Sequence, residues 1–268
     1  MKDELVRVRV IVPGFGAPNL EKKIDIFKNN LDILVKTRPE NCTLHIHVHI
    51  YDDSETPIPM LSSHGNTSWG SITYHRGAGI VGQFIATHST VLECECDKVF
   101  IILDDVELMP SFHLGEAIRV QEACFLDILS PTLTDQSPTF YKYMKSSYGP
   151  IYSKLSNSSK PARLVRITSA CELFCYLMNA NSFIAWCMHL DPANPWIWGM
   201  DLLLTHKFGL RVGMLPHMTV THHFQNASYD AHPEINPFQQ LQAYLAKYGE
   251  SQESLSHMAA IITTIIQP

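Results

Sequence analysis

Between residues 99 and 107 the chain reads Val99-Phe100-Ile101-Ile102-Leu103-Asp104-Asp105-Val106-Glu107. The five apolar residues predict a strand that is buried on both faces, as in a parallel sheet. Three carboxylates follow it within four residues. Carboxylates so close together repel each other unless a cation neutralises them, and Mg²⁺ and Mn²⁺ take oxygen ligands. The segment therefore predicts a divalent-metal site at the end of a buried strand, with a solvated acidic turn as the alternative.

The residues before this strand alternate between strand and helix patterns. β-branched residues 6–12 predict a strand that ends in a turn at Pro13-Gly14-Phe15, and residues 19–36 have apolar side chains at helical spacing. Residues 43–51 alternate strictly, residues 71–74 predict a short strand, and a glycine-rich loop then opens a helix that runs to residue 92. Ligands of such α/β sheets bind at the carboxyl ends of the strands. We therefore expect residues 1–110 to bind a nucleotide.

The residues after the acidic segment are less regular. The predicted helices there cover residues 114–126, 182–189, 202–208, 237–248 and 254–265, and the predicted strands cover 170–178, 211–215 and 218–221. Residues 135–159 are rich in Ser, Tyr, Lys and Pro and predict a long loop that could close over a ligand. We assign residues 111–235 to a catalytic, acceptor-binding half and residues 236–268 to a C-terminal helical segment.

Composition limits the classes of function. The 268 residues are 46% apolar and 17% charged, so the chain can bury a large core. Twenty basic against 26 acidic residues give a net charge of −6, which argues against a broad nucleic-acid interface. Seven scattered cysteines do not predict a disulfide framework. No apolar run reaches the roughly 18 residues of a membrane span, and the first residues lack the apolar core of a signal peptide, which favours a cytoplasmic protein.

A candidate general base lies in Trp198-Gly199-Met200-Asp201. The glycine permits close backbone approach, the tryptophan offers an apolar wall for a ring, and Asp201 opens a predicted helix. Asp201 is either the base that deprotonates a substrate hydroxyl or a plain helix N-cap, and the two roles are compatible. Glu172, on the predicted strand 170–178, is the next candidate for the base.

Histidines supply a second set of candidates. His222 and His223 follow a short predicted strand, and a neutral imidazole is a common metal ligand, although such a pair can also be structural. His45, His47 and His49 share one face of the strand predicted at residues 43–51. They could bind zinc in principle, but the strand offers no fourth ligand at useful spacing, so we predict a packed or half-exposed sheet face.

Two further segments suit a nucleotide. Arg76 and Gln83 flank the run Gly77-Ala78-Gly79-Ile80-Val81-Gly82, which can cradle a phosphate, and Arg76 can pair with a phosphate bidentately. The run follows a late strand, so it gives little support to a dinucleotide-binding unit. Asp52 and Asp53 end the strand predicted at residues 43–51 and suit either a ribose or an Asx turn.

Taken in chain order, the motifs of residues 6–225 resemble those of nucleotide-sugar glycosyltransferases of the GT-A fold. The resemblance implies a single GT-A-like α/β domain with a mixed, mostly parallel sheet flanked by helices. It implies inverting transfer from a UDP-sugar to a hydroxyl of a glycan or glycoprotein, with Mn²⁺ or Mg²⁺ as cofactor. Residues 100–105, 130–131, 171–172 and 198–222 resemble predicted glycosyltransferases of plants and algae, and compact enzymes of large algal viruses that act in the cytoplasm. A pentose such as xylose is our first expectation for the sugar.

The resemblance also implies residue roles. The segment Trp198–Asp201 is similar to a W-G-x-D segment whose acid deprotonates the acceptor. Leu103 stands two residues before Asp105, so the family's D-x-D motif fits as Asp105-Val106-Glu107 or as the pair Asp104-Asp105. The implied donor-binding residues are Pro13, Gly14, Phe15, Asp52, Asp53, Arg76, Gln83 and Asp104; the metal ligands are Asp105, Glu107 and His222; the acceptor side has Trp198, Gly199 and Glu172.

Two other classes of function remain open at this point. Metal-dependent nucleotidyl transfer or phosphohydrolysis also uses clustered carboxylates, but it commonly needs a second metal and has no need of an acceptor wall at Trp198. A nucleotide-sugar-binding module without turnover would keep the donor residues and lack a working base.

Overall fold

A computed structural model describes residues 4–15, 19–50, 68–77, 81–89, 96–148, 163–223, 236–258 and 260–267. Ten strands of these residues form one sheet: β1 Val6–Phe15, β2 Cys42–Ile50, β3 Gly70–Arg76, β4 Lys98–Ile102, β5 Val106–Leu108, β6 Ile128–Leu133, β7 Arg163–Thr168, β8 Cys175–Asn179, β9 Val212–His222 and β10 Ile261–Gln267. The helices are α1 Leu20–Thr37, α2 Val81–Ser89, α3 Leu114–Ala123, α4 Ala180–Cys187, α5 Met200–Leu203, α6 Pro237–Lys247 and α7 Gln252–Met258.

The sheet is mixed, with strand order β10-β7-β9-β6-β8-β4-β1-β2-β3, and β5 pairs with β9 outside this path. Strands β1 to β4 are mutually parallel, which confirms the parallel α/β half-sheet that the sequence predicts. Beyond β4 the pairings are antiparallel except for β6 with β9. All five residues of β4 are buried, because this strand lies between β1 and β8 in the middle of the sheet.

Strand direction decides which residues meet at one edge of the sheet. β4 and β6 are both antiparallel to β8, and β9 is parallel to β6, so β9 runs in the same direction as β4. The carboxyl ends of β4 and β9 therefore share an edge with the amino end of β8. Asp104 and Asp105 follow β4, His222 ends β9 and Glu172 precedes β8, so the topology alone collects these residues at one edge.

Alternation in β1 and β2 creates two different faces. Val10, Val12 and Ile46 face α1, where Phe27 and Leu31 complete an apolar layer. Residues of opposite parity face α2, and the ring of His49 stacks on Phe84 with centroids 4.0 Å apart. Helices thus cover both faces of the parallel half, as its continuous apolar strands require.

The turn predicted at Pro13-Gly14-Phe15 is wrong, because β1 continues through these residues to Phe15. The register with β2 shifts between Val12 and Phe15, which makes this stretch a bulge. Gly14 has φ 92°, a backbone conformation that favours glycine, and Pro13 needs no ladder hydrogen bond in a bulge.

The two strands predicted at residues 211–215 and 218–221 are one strand, β9. Its register against β6 jumps between Pro131 and Thr132, so β9 bulges around Pro216. The buried Thr132 hydroxyl lies 3.3 Å from the Pro216 carbonyl and 3.2 Å from the Met218 carbonyl, so it can donate to either of them inside the bulge. Pro216 lies between the two predicted strands and is accommodated there without ending β9.

Other predicted elements are shorter than expected or differ in type. The helix predicted at residues 254–265 ends at Met258, and β10 pairs antiparallel with β7, because the run Ile261-Ile262-Thr263-Thr264-Ile265-Ile266 is β-branched throughout. The strand predicted at 170–178 begins only at Cys175, so Glu172 lies in the preceding loop. The helix predicted at 202–208 is the short α5. No helix among the described residues is both long and apolar enough to cross a bilayer.

Candidate functional site

The short strand β5 brings Asp105 and His222 together. Val106 lies opposite His222 in the antiparallel ladder, and the His223 N–H donates to the Asp105 carbonyl at 3.0 Å. The His222 Nε2 atom is 3.2 Å from Oδ2 of Asp105. Asn30, buried on α1, holds β5 from the other side, since its amide donates to the Val106 carbonyl and accepts from the Leu108 N–H. The two side chains are therefore fixed by backbone pairing rather than by their own attraction.

This pair fits a divalent cation. Oδ1 of Asp105 is buried and has no hydrogen-bond partner in the part of the chain that the structure describes. Two adjacent ligands of an octahedral ion with bonds of about 2.1 Å lie about 3 Å apart, close to the distance between His222 and Asp105. Burial lowers the pKa of His222, but Asp105 and the Pro138 carbonyl outweigh it and raise the pKa overall.

Glu107 has different partners from Asp105. Its Oε2 lies 2.6 Å from His223 Nε2, and its Oε1 is 3.4 Å from the Asn29 amide. Among the described residues, Asp105, Glu107 and His222 do not form a group whose ligand atoms all lie within 4.8 Å of one another. The structure therefore brings Asp105 and His222 together and leaves Glu107 with His223.

Asp104 is buried and forms an ion pair with Lys23 of α1, at 2.6 Å between Nζ and Oδ2. Burial raises the pKa of Asp104, while the Lys23 ammonium acts in the opposite direction. The same ammonium lies 3.5 Å from the carbonyl of Gly14, so Lys23 links the predicted donor residues Gly14 and Asp104. Lys23 is not among the predicted site residues. Its position four residues before Phe27, on the buried face of α1, is a usable signal of a buried charge.

Asp201 lies in the first turn of α5, and Gly199, not Asp201, is the N-cap. The Tyr141 hydroxyl donates to Oδ2 of Asp201 at 3.2 Å. Burial, and then the charge of Glu172, raise the pKa of Asp201 to about 7, against the effect of the hydrogen bond from Tyr141 and of two backbone N–H groups. A carboxylate with a pKa near neutral pH suits general-base chemistry. Tyr141 had no signal in the sequence beyond its position in the loop predicted at residues 135–159.

Glu172 holds the segment that carries Tyr141. Its Oε1 accepts from the Thr139 hydroxyl and the Phe140 N–H, each at 2.6 Å, and from the Tyr141 N–H at 3.2 Å. Burial raises its pKa, and its charge acts on both Asp201 and His222. Glu172 is therefore near enough to affect the pKa of both Asp201 and His222, and its carboxylate is already engaged by three donors.

The loop predicted at residues 135–159 is described as far as residue 148, and that part is anchored. The buried Arg166 guanidinium donates to the carbonyls of Tyr143 and Lys145 at 3.1 and 3.2 Å. The Ser147 hydroxyl donates to Asp135 at 2.6 Å. These contacts hold Tyr141 in place near Asp201.

The Trp198-Gly199 segment is shaped by its own packing. The buried Asn194 side chain bonds to both the N–H and the carbonyl of Trp198, at 3.1 and 2.8 Å. Gly199 has φ 80°, and a Cβ atom there would lie 2.6 Å from Leu241 Cδ1 of α6. The close approach that Gly199 permits is therefore to α6, and the predicted contact of this glycine with an acceptor has no support in the geometry.

On the donor side, Arg76 ends β3 at the border of the sheet, three strands from β4. At roughly 4.8 Å per strand, its backbone lies about 14 Å from the acidic segment. Gln83 is exposed in the first turn of α2. A Cβ atom on Gly82 would lie 2.7 Å from the Pro195 carbonyl, so this glycine serves packing. Asp52 and Asp53 lie outside the described residues.

Comparison with solved structures identifies the fold. The chain is similar to the crystal structure of GalNAc-T7 with UDP, GalNAc and Mn²⁺, with a TM-score of 0.65 and 11% sequence identity. The match covers 94% of this chain and 50% of that one, so the chain spans about half the length of its neighbour. The chain therefore has a GT-A-like glycosyltransferase fold, as the sequence predicts.

Other comparisons add no further argument. The crystal structure of A197 from STIV matches with a TM-score of only 0.43 at 11% identity, over 82% of this chain and 87% of that one. No family model and no curated protein matches the chain.

Replacement of Gly199 by alanine should destabilise the protein more than the same change at Gly209. Both glycines have positive φ, but nothing lies within 4 Å of the Cβ position at Gly209. Gly209→Ala should cost only the left-handed strain, about 1–2 kcal/mol. Gly199→Ala should lose about 1–3 kcal/mol more, because its Cβ meets Leu241. Urea unfolding measures both, and equal losses would contradict the packing at α6.

Asp201→Asn should stabilise the protein at pH 8 and have little effect at pH 4. The unfolded carboxyl ionises near pH 3.8 and the folded one near pH 7, so ionisation destabilises the folded state increasingly across that interval. Asn cannot ionise, and the gain at pH 8 should be on the order of 1–4 kcal/mol.

Asp191→Asn is the matched control for this measurement. The hydrogen bond from Lys247 lowers the pKa of Asp191, so its ionised form stabilises the folded state. This variant should lose about the same stability at pH 8 and at pH 5, with the loss shrinking only as pH falls below about 3.8, where the unfolded carboxyl protonates. A destabilised Asp201→Asn protein at pH 8 would show that the Asp201 charge is well solvated or paired.

Proposed function

We propose that this protein transfers a sugar from a nucleoside diphosphate sugar to a hydroxyl group, with inversion at the anomeric carbon. One observation carries the proposal: the segment 137–141 contacts both candidate groups, because the His222 N–H donates to the Ser137 hydroxyl at 2.9 Å and the Tyr141 hydroxyl donates to Asp201 at 3.2 Å. The candidate base and the candidate metal pair therefore belong to one site. That site lies at the edge of the sheet where β1 ends at Phe15 and β3 ends at Arg76, two of the predicted donor residues. A base and a diphosphate site must be close neighbours for a direct displacement.

The donor side of the proposal rests on Asp105 and His222, which would hold Mn²⁺ or Mg²⁺. Such an ion neutralises the charge that develops on a leaving diphosphate. The neighbouring structure contains UDP and Mn²⁺, which supports a UDP-sugar as donor. Asp104, paired with Lys23, would meet the ribose side of the donor, beside the Pro13–Phe15 bulge. Arg76 would contact the nucleoside end, because about 14 Å separates its backbone from the acidic segment.

On the acceptor side, Asp201 takes the proton of the attacking hydroxyl. The oxygen of that hydroxyl then forms a bond to the anomeric carbon, while the bond from this carbon to the diphosphate oxygen breaks and its electron pair leaves with the diphosphate. Tyr141 orients the carboxylate of Asp201, and Glu172 positions Tyr141. Trp198 forms the apolar wall beside the acceptor, which is a glycan or glycoprotein. UDP-xylose is the first donor to test.

A nucleotidyltransferase or phosphohydrolase fits these contacts less well. Two-metal catalysis needs several carboxylates around a pair of ions. In the described part of the site, Asp105 pairs with one histidine, Lys23 neutralises Asp104, and Glu107 pairs with His223. Asp105 and His222 therefore suit a single metal ion.

Two measurements test the proposal: the configuration of the product tests inversion, and the turnover of Asp201→Asn tests the base. UDP-sugars are screened with Mn²⁺ for hydrolysis and for transfer to glycans, and NMR reads the anomeric configuration of the first product. We expect the configuration opposite to that of the donor. Asp201→Asn should lower kcat by about 10²–10⁴-fold, the usual contribution of a general base, with Mn²⁺-dependent UDP affinity unchanged.

Three outcomes would contradict the proposal. Retention of configuration would exclude single displacement, and a turnover of Asp201→Asn within about threefold of wild type would mean that another group is the base. UDP binding without turnover of any donor sugar would make the protein a binding module. Tyr141→Phe serves as the positioning control, since it should lower kcat less than Asp201→Asn does.

A further inference from the structure

Three histidines from separate elements meet on the α2 face of the sheet. His47 Nδ1 of β2 and His75 Nε2 of β3 are 3.0 Å apart. The ring of His88 in α2 lies with its centroid 4.9 Å from that of His47 and 5.9 Å from that of His75. One ligand nitrogen from each of the three lies within 4.8 Å of the other two, and this is the one such group of three or more His, Cys, Asp or Glu side chains among the described residues.

We propose that His47, His75 and His88 bind a divalent transition-metal ion, with zinc as the expected metal. Three imidazole nitrogens suit Zn²⁺, which binds nitrogen at about 2.0–2.1 Å and is commonly held by three histidines and one exchangeable ligand. This site is separate from the Asp105–His222 pair, and the proposal does not depend on the proposed function.

The three rings are buried or half-buried and are present in the neutral form. His88 is 5% exposed, and its Nε2 has no hydrogen-bond partner in the described residues. Burial first, and then the charge of Arg9, lower the pKa of His47 to about 4. Burial first, then His47 and then Arg9, lower the pKa of His88 to about 3, and burial lowers the pKa of His75. The three imidazoles are therefore neutral at pH 7, which is the form that ligates a metal.

Arg9 decides what completes the coordination. It is buried on β1, on the same face, and its positive charge acts on His47 and His88. That charge opposes any cation, but it favours an anion, such as hydroxide or chloride, as the fourth ligand beside three neutral imidazoles. A bound ion would tie α2 to β2 and to the border strand β3, where His75 immediately precedes Arg76.

The sequence alone could not show this site. Alternation placed His45, His47 and His49 on one strand face, but only His47 belongs to the group. His45 bonds instead to the Ser71 hydroxyl at 3.1 Å, and the ring of His49 stacks on Phe84. The other two ligands come from β3 and α2, which pair with or pack on β2 only in the folded chain.

The test uses the full chain with Asp105→Asn as parent, so that the other candidate metal site is weakened. The protein is stripped with a chelator and dialysed against Zn²⁺ or Co²⁺, and the bound metal is counted by mass spectrometry. Thermal unfolding and the visible absorption of Co²⁺ are recorded beside it. His88→Gln and His75→Gln remove ligands, and His45→Gln is the control on the same face of the same strand.

We expect one zinc ion per chain in the parent and in His45→Gln, with a rise in Tm on addition of zinc. His88→Gln and His75→Gln should lose the bound ion, the Co²⁺ spectrum and the rise in Tm. The proposal is overturned if the parent binds no stoichiometric metal, or if His88→Gln and His75→Gln bind as much as the parent. Absence of a stoichiometric ion from the parent overturns the proposal even if both ligand variants fail to fold.

Discussion

The candidate site depends on the antiparallel pairing of β5 with the last three residues of β9. This pairing joins Asp105 to His222 across 117 residues of chain. It is only three residues long, and three contacts reinforce it: the His223 N–H on the Asp105 carbonyl, and the two ends of the Asn30 amide on β5. Because the backbone fixes both residues, the carboxylate and the imidazole are held in position before any ligand arrives. Pre-organised ligands of this kind lower the cost of binding a metal and a diphosphate.

The buried acids around this pairing show how charge is distributed. Asp104 has its own cation in Lys23, whereas Asp201 has only a tyrosine hydroxyl and backbone N–H groups to offset its burial and the charge of Glu172. Burial nevertheless raises the pKa of both carboxyls to about 7, so neither set of partners fully offsets the burial. A poorly compensated carboxylate costs folding stability at neutral pH, and the same feature makes it a base of suitable pKa.

Much of the fold was predictable because local pattern and topology agree in the first half of the chain. The apolar run of β4 and the alternation of β1 and β2 follow directly from the burial of these strands in a parallel sheet. The prediction was wrong where one sequence pattern is compatible with two local structures. Pro216 lies between two predicted strands but belongs to a bulge within one, and the isoleucine- and threonine-rich end matched helical spacing but forms the strand β10.

The sequence predicts several residues of the candidate site but not the contacts that join them. Asp105, His222 and Asp201 follow from motifs and from the ends of predicted strands, whereas Glu172, predicted within a strand, lies in the loop before β8. Lys23, Asn30 and Tyr141 do not follow from the motifs, because each acts through a contact that exists only after distant elements pack. Glu107 shows the converse: spacing alone makes it an equal candidate to Asp105, and only the partner of each carboxylate separates them.

The most direct test of the account is a double-mutant cycle on the affinity for UDP in Mn²⁺, measured by calorimetry. Asp105→Asn, His222→Gln and the double variant are compared, with EDTA as the metal-free reference and Glu107→Gln as the matched carboxylate. If Asp105 and His222 share one ion, the single losses overlap and the coupling exceeds about 1 kcal/mol, whereas the loss from Glu107→Gln adds independently. Additive losses from Asp105→Asn and His222→Gln, or losses of equal size in EDTA, would contradict a shared metal site.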